Sequence, residues 1–353
     1  MTRLALALAE ADVAVGVWAP DRSAATTPLL PPNSRVERLT GTETQAMDKV
    51  AGVDVVHDNG IWLPHNHRLA QLARAKEIPR LVSTRGMLEP WAMNHKRARK
   101  RIAWALYQRR DLSDARCHHA TAESEARNVE RFALGVPVSV IPNGVDVPEV
   151  PRSALRAPDR RERTALFLGR IYPVKGLPML IEAWARVLPA NWRLQIAGPD
   201  EAGHRAEVEK AVAAARLGQL VSFEGPVGGE AKRSLLAGAD LMVLPSHSES
   251  FGMAVAEALA HGVPVLTTTS APWPMLTSRG CGWRVAPTVE GITDGLREAT
   301  STDVEALASM GAKGRDLALA EFQWGRVADQ FVALYGELTA RHGAPFQLAQ
   351  FGR

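Results

Sequence analysis

Cysteine is nearly absent from this chain: of 353 residues, only Cys117 and Cys281 are of that type. They lie in different segments, which leaves neither a disulfide framework nor a paired-cysteine metal site and makes a reducing compartment the expected one. Long apolar runs are lacking as well. Stretches such as 4–8 and 265–268 fall far short of the ~20 residues that cross a bilayer, and the opening residues carry neither the hydrophobic core nor the cleavage site of a secretory leader. No low-complexity tract is present, and no internal repeat beyond two similar halves. The 10 histidines show no metal-ligand spacing; His247 is the first to test and the pair His118-His119 the second. What is present is ordinary for a folded protein, with 46% apolar and 23% charged residues, away from the signature of disorder. A net charge of +4 suits an anionic partner, whether nucleic acid, a phosphorylated small molecule or an acidic membrane surface.

Short runs of Val, Ile and Leu alternate with longer amphipathic stretches, the pattern of a parallel sheet with crossover helices. In the first half, strands are expected near 13–18, 54–57, 80–83, 117–120 and 138–141. Prolines and charges then erase the apolar period, so residues 148–164 read as a linker between domains 1–147 and 165–323. The second half restarts the alternation, with strands near 165–168, 193–197, 221–224, 241–244 and 265–267. A last helix, about 324–340, carries Val327, Phe331, Leu334, Tyr335 and Leu338 at helical spacing and must lay one face on a core. Residues 343–353 read as a tail.

The most informative segment is LMVLPSHSESFGMAVAEALAHGVPVLTT, which reads as strand, polar loop, Ala-rich helix and strand. Its loop sets Ser246, Ser248, Glu249 and Ser250 beyond the carboxyl end of a strand, where open parallel sheets place ligands. Gly252 at the helix start lets a ligand approach unpaired backbone amides. Glu249 precedes the helix and Glu257 stands about two turns inside it, so the two carboxylates serve different parts of one extended ligand. The plainer reading makes Ser248 or Glu249 a helix cap and Glu257 a solvated residue. Against it, Glu257 is flanked by Val255, Ala256, Ala258, Leu259 and Ala260, on a helix so apolar that a carboxylate there needs a partner, and a ligand diol would be one. A second segment, ALFLGRIYPVKGLPMLIEAWARV, runs from a strand into a loop with Gly169, Arg170, Lys175 and Gly176. Many surface loops hold Arg and Lys, but together with the glutamate loop two cations at a strand end suit a departing diphosphate.

The pairing of FLGRIYPVKG with SHSESFGMAVAEALAHGVPV resembles the family 4 glycosyltransferases, with IPNGVD at 141–146 and FEGPV at 223–227 matching in order. The resemblance covers nearly the whole chain. It implies the GT-B fold, two doubly wound Rossmann-like parallel-sheet domains with an interdomain cleft, the first on the acceptor side and the second binding a nucleotide-sugar donor. It also implies retention of anomeric configuration without a metal or cofactor. Arg170 and Lys175 would hold the donor diphosphate, Glu249 the donor sugar and Glu257 the ribose hydroxyls. Gly169 would lie beside the diphosphate, the amides of Phe251, Gly252 and Met253 would help hold the sugar, Val227 would lie against the base, and the last helix would cross back onto the first domain.

In the first half, DNGIW, STRGMLEPWAMNHKRARKRIAWALYQRRDL and HATAESEARNV look like the branch that builds bacterial exopolysaccharide and lipopolysaccharide. This implies a lipid-linked or polysaccharide acceptor and a cytoplasmic enzyme, peripheral on the inner face of the plasma membrane. Asp58, Asn59, Gly60, Arg85, Gly86, Glu89 and Trp91 would face the cleft. Lys96, Arg97, Arg99, Lys100 and Arg101, interleaved with Ile102, Trp104, Leu106 and Tyr107, suit an anionic membrane surface, or equally an ordinary surface helix. No nucleic-acid-binding module is recognisable.

Family members open with a strand and a Gly-rich loop, and many place a histidine where Ser83-Thr84-Arg85-Gly86 stands. This chain shows none of these, so the expected first domain lacks its first strand, as from a truncated or misassigned start. Two other readings stay open: a catalytically impaired nucleotide- or glycan-binding homologue, and a sugar-nucleotide epimerase on a similar scaffold.

Overall fold

The computed structural model describes residues 1–20, 30–31, 34–49, 52–149 and 162–340. The expected tail and most of the expected linker lie outside them. The chain divides into two compact units, Val145–Gln323 and a first unit made of Met1–Gly144 with the chain from Trp324 onward.

In the first unit, β3 (Val56–Asn59), β4 (Arg80–Ser83), β5 (Cys117–Ala120) and β6 (Val138–Val140) form a parallel sheet in that order. Successive strand side chains point to opposite faces, so neighbouring residues of β4 enter different cores. Leu81 joins Cys117 and Ile141 under the Thr2–Glu10 and Trp324–Thr339 helices, which supply Leu4, Leu8, Val327, Phe331 and Leu338. Val82 joins Ile61, Leu88, Leu112 and Val129 on the other side. A separate parallel pair is made by β1 (Gly16–Trp18) and β2 (Glu37–Leu39). Among the described residues β1 and β3 are not paired, so the parallel structure of this unit is divided into two pieces. β2 falls in a segment that the sequence reading left without a strand.

The second unit holds β7 (Arg163–Leu168), β8 (Trp192–Ala197), β9 (Val221–Gly225), β10 (Leu241–Leu244), β11 (Val265–Thr268) and β12 (Gly282–Val285). They form a parallel sheet in the order β12-β11-β10-β7-β8-β9. β12 was not expected, since Gly-Trp-Arg-Val lacks an apolar run. The core is continuous, with Trp184 and Trp273 fully buried. After β7 the chain steps to β8 and β9 on one side and returns to β10 on the other, which makes β7 and β10 the point where strand order reverses. Loops leaving the carboxyl ends of two such strands diverge and leave a crevice for a ligand.

Candidate functional site

The two segments singled out in the sequence leave these two strands. After β7 comes Gly169, then the tight turn Pro173–Lys175 and Gly176; after β10 come Pro245, Ser246 and the glutamate loop. They are stitched together by backbone. The His247 amide donates to the Val174 carbonyl at 2.8 Å, and Gly176, at φ +68°, passes so close to Pro245 that a Cβ would stand 2.3 Å from its carbonyl oxygen. Only glycine fits there.

This stitching brings Lys175 to Glu249. Nζ lies 2.5 Å from Oε1, and Ser246 Oγ donates to the same oxygen at 2.7 Å. The side chains are 15% and 8% exposed, so the pair is shielded from water and its attraction is little screened. Ser246 is itself fixed, its carbonyl accepting from Thr268 Oγ1 at 2.6 Å. Gly169 is near this pair, since a Cβ on it would lie 3.9 Å from Lys175 Cε.

Arg170 is held elsewhere. Its guanidinium pairs with Glu201 in the loop after β8 and lies 5.8 Å from the Tyr172 ring centre, largely exposed. Behind these loops Gly198, at φ +145°, touches the Gly169 carbonyl so closely that a Cβ would stand 1.9 Å from it, while its amide donates to Gly225 at 2.7 Å. The ends of β7, β8 and β9 are thus held at backbone contact, which brings the Arg170 and Glu201 loops side by side.

Glu257 projects from the Met253–Ala260 helix. The partner that a carboxylate on this apolar helix requires is Lys232, at 2.7 Å, from the Gly229–Gly238 helix that follows Val227. Val227 is half-buried against the core. At the start of the glutamate helix, the Phe251 ring packs 5.2 Å from Trp273, and its carbonyl accepts from the Trp273 indole. Gly252 follows at φ +83°, and Met253 is exposed. The amides of a helix's first turn have no carbonyl partner within the helix, and this turn is aimed by the Phe251–Trp273 contact. The His247 imidazole is exposed.

Among the first-unit candidates, Arg85 and Asn59 meet: the Asn59 side-chain oxygen accepts from Arg85 Nε at 3.2 Å and Nη2 at 2.8 Å. Arg85 Nη1 donates to Asn143 at 2.8 Å. The turn carrying Arg85 and Gly86 rests on buried Glu125, whose carboxylate accepts from Thr84 Oγ1 at 2.9 Å, the Gly86 amide at 2.5 Å and the Thr121 amide at 2.8 Å. Gly60 donates its amide to the Ser83 carbonyl at 2.9 Å. Glu89 is buried at the start of the Pro90–Asn94 helix, and Trp91 is 39% exposed, stacked 6.3 Å from His95.

Asp58 departs from expectation. It is 3% exposed, with one oxygen accepting from Asn66 at 2.7 Å and the other paired to Arg80 at 3.0 Å. Burial raises its pKa, and Arg80 and Asn66 oppose the rise. This carboxylate ties β3 to β4.

Sequence reading also missed a buried hydrogen-bond chain through His57 and His119. The Ile141 carbonyl can only accept, so His119 donates to it from Nε2 at 2.8 Å and accepts at Nδ1 from Ser83 Oγ at 2.6 Å. Ser83 in turn accepts from His57 Nε2 at 2.7 Å, and His57 Nδ1 accepts from the Tyr335 hydroxyl at 2.7 Å. One direction of donation satisfies the whole chain with both imidazoles neutral. Burial holds His57 well below its ordinary pKa, with His119 and Arg85 adding to the effect, and holds His119 at about 3, with Arg85 adding. Among the described residues no group of three or more His, Cys, Asp and Glu side chains is placed to hold a metal ion.

The second unit is thus of the parallel α/β class in which ligands sit at the carboxyl ends of the strands, with a lysine and a carboxylate joined across its switch point. Comparison with known proteins narrows this. The model for glycosyl transferases group 1 matches residues 162–302, and that for the glycosyl transferase 4-like domain matches residues 1–144. Both models are of glycosyltransferases, and together they span most of the chain. D-inositol 3-phosphate glycosyltransferase of Actinosynnema mirum is 30% identical over 228 residues, 57% of this chain and 52% of that protein. Phosphatidyl-myo-inositol mannosyltransferase of Mycobacterium tuberculosis is 30% identical over 233 residues, 64% of this chain and 60% of that protein. The chain thus spans a little over half the length of these relatives. Among solved structures, sucrose-phosphate synthase from Thermosynechococcus elongatus superposes with a TM-score of 0.79 at 22% identity, covering 96% of this chain and 92% of that one. Anabaena HepE in complex with UDP and glucose gives 0.70 at 17% identity, with 95% of each chain covered. These likenesses show the fold to be GT-B.

Proposed function

We propose that this protein is a retaining glycosyltransferase that moves a sugar from a nucleoside diphosphate to a lipid-linked or polysaccharide acceptor in bacterial cell-surface polysaccharide synthesis. The observation that carries the reading is the Lys175–Glu249 pair at the switch point. A donor diphosphate takes Lys175 from Glu249, and the freed carboxylate accepts from the sugar hydroxyls. Arg170, released from Glu201, grips a second phosphate oxygen, and Glu257 receives the ribose diol beside Lys232. Gly169 leaves room for the diphosphate, Val227 lies against the base, and the amides of Phe251, Gly252 and Met253 face the sugar. As the bond from the anomeric carbon to the diphosphate breaks, Lys175 and Arg170 neutralise the charge that develops there. The acceptor hydroxyl attacks from the same face and gives its proton to the departing diphosphate oxygen, so no side-chain nucleophile, metal or cofactor takes part.

Asn59 and Arg85, joined to each other, with Glu89 and Trp91, form the acceptor side. The activities for which the relatives above are named favour an acceptor bearing inositol phosphate or phosphatidylinositol, and the DNGIW and STRGMLEPW segments favour a saccharide chain. No helix among the described residues is long and apolar enough to cross a membrane. The exposed basic residues Lys96, Arg97, Arg99 and Arg101 suit a peripheral seat on an anionic inner-membrane surface. Lys100, grouped with them by sequence, turns inward, donating to the Ala92 carbonyl at 2.5 Å and lying 5.5 Å from the Trp62 ring centre.

The test is incubation of purified protein with a panel of nucleotide sugars, with and without membrane lipid extract, reading nucleoside diphosphate release. Release from one donor, stimulated by lipid, is expected. The divided sheet of the first unit favours a second reading, a nucleotide-binding homologue without turnover. Nucleotide binding with no release from any donor would establish that one instead.

A further inference from the structure

The described surface holds a cavity of about 510 Å³ that belongs neither to the donor loops nor to Arg85 and its partners. Three helices, Pro90–Asn94, Arg97–Ala103 and Glu123–Glu130, and the residues just after the last build it. Arg97 and Arg101, one turn apart on the Arg97–Ala103 helix, stand on one side. Asn128 and Arg131 stand on the other, at the end of the Glu123–Glu130 helix, with Arg131 donating to Asn128 at 2.9 Å. Met93 and Phe132 give it an apolar wall. No carboxylate lines it. Three guanidinium groups around one recess repel each other unless an anion sits between them, and each can grip two phosphate oxygens.

Continuing from Arg101, the same helical stretch exposes Ile102 and Leu106 by 61% and 76%. These are among the largest apolar exposures described, and they are four residues apart. A helical segment with bare aliphatic groups flanked by arginines lies in the plane of a bilayer surface, its apolar groups among the acyl chains and its cations at headgroup level. Arg97 and Arg101 of the cavity belong to the helix that runs directly into that segment.

We infer that the Arg97–Arg101–Arg131 cavity is a headgroup site for an anionic phospholipid of the bilayer on which the protein sits. The site deepens the peripheral-membrane part of the proposed function and rests on it. Arg131 and Asn128 distinguish it from a diffusely basic helix, because they come from a different element. The phosphate is gripped from two sides, and the glycerol portion lies along Met93 and Phe132.

The experiment is co-sedimentation of the whole protein with phosphatidylcholine vesicles, with or without phosphatidylglycerol, while nucleotide binding is followed in the same samples. Binding only to the anionic vesicles is expected. Arg131→Gln and Arg97→Gln should each weaken it roughly fivefold, the usual effect of one basic group near such a surface. Arg127→Gln, which removes the same charge from the same helix outside the cavity, should leave it unchanged. Equal losses for Arg127 and Arg131 overturn the headgroup site and leave a diffuse basic surface. No binding of the unaltered protein to anionic vesicles overturns both the site and the membrane reading, while retained nucleotide binding leaves the donor chemistry standing. Direct binding of soluble glycerol 3-phosphate that is lost in Arg131→Gln, with no vesicle binding, places a free phosphate ester in the cavity and overturns the lipid assignment.

Discussion

The buried histidines make stability fall as pH is lowered, by an amount that can be worked out. His118 and His119 are held at about 4 and about 3 in the folded protein, against about 6.5 when unfolded. Below pH 6.5 the unfolded chain binds protons that the folded chain refuses, so each group's contribution is intact above its unfolded value and is lost as pH falls towards its folded value. From pH 7.5 to pH 5 each costs about 2 kcal/mol, and His57 acts in the same direction. Asp58 opposes them, since its folded pKa is raised. A difference measurement removes that contribution. In His119→Gln the amide still donates to the Ile141 carbonyl but cannot titrate, so the variant is less stable at pH 7.5 and the gap to the parent should shrink by about 2 kcal/mol by pH 5. Hydrogen exchange of peptides covering β4 and β5, corrected for intrinsic rates at each pH, reads both values. A gap that stays constant across this range would falsify the neutral, singly directed chain from Tyr335 to Ile141.

Lys175→Ala should lower turnover about 100- to 1,000-fold with a smaller change in donor affinity, since its charge matters most as the diphosphate departs. Glu257→Ala should instead raise the donor dissociation constant about tenfold, and normal kinetics in both variants would overturn the donor-site assignment. Glu249→Gln leaves Lys175 without its buried counter-charge. Calorimetric titration should then show free nucleoside diphosphate binding about tenfold tighter as turnover falls, and unchanged affinity would refute the competition between carboxylate and diphosphate. Gly198→Ala drives a Cβ into the Gly169 carbonyl at a φ that side chains rarely adopt. It should destabilise the second unit by more than about 4 kcal/mol in denaturant unfolding. Arg80→Met strands the buried Asp58 carboxylate and should cost about 3–5 kcal/mol in the first unit, with peptides from β3 and β4 exchanging first.

Strands made of continuous apolar runs were legible in the sequence: Leu241–Leu244 and Val265–Thr268 are buried along their whole length and read as such. β12 was not, because its place at the sheet edge leaves Trp283, Arg284 and Val285 half-exposed and removes the apolar run that would announce it. β2 is hidden for the same reason, with two of its three residues exposed. Glu249, Lys175 and Glu257 could be picked out from their place between strand and helix, yet nothing local encodes their partners. Lys232 lies 25 residues from Glu257, and Glu201 lies 31 from Arg170. Such pairings depend on strand order, which periodicity does not carry. Asp58 is a further case: its pairing with Arg80, one strand over, was not legible in the sequence either.

The pairings also bear on how the donor half can work. Each acidic residue assigned to the donor already holds a lysine: Glu249 has Lys175 and Glu257 has Lys232. Burying either carboxylate alone would carry the desolvation cost of an unpaired charge, so the lysines allow the crevice to exist before any ligand arrives. The two pairs are not equivalent. Lys175 and Glu249 are nearly closed off from water, whereas Lys232 is 33% exposed and Glu257 20%. In the proposed reading Glu257 rotates towards a ribose diol while keeping its lysine at little electrostatic cost, as a standing grip on the nucleoside. Lys175 must exchange one buried anion for another, which is favourable only when a diphosphate replaces the carboxylate and sugar hydroxyls satisfy the oxygens it leaves behind. On the proposed reading, nucleoside recognition at Glu257 and diphosphate recognition at Lys175 should be separable by mutation, while Lys175 and Glu249 act as one unit and their double substitution should be less costly than the sum of the two.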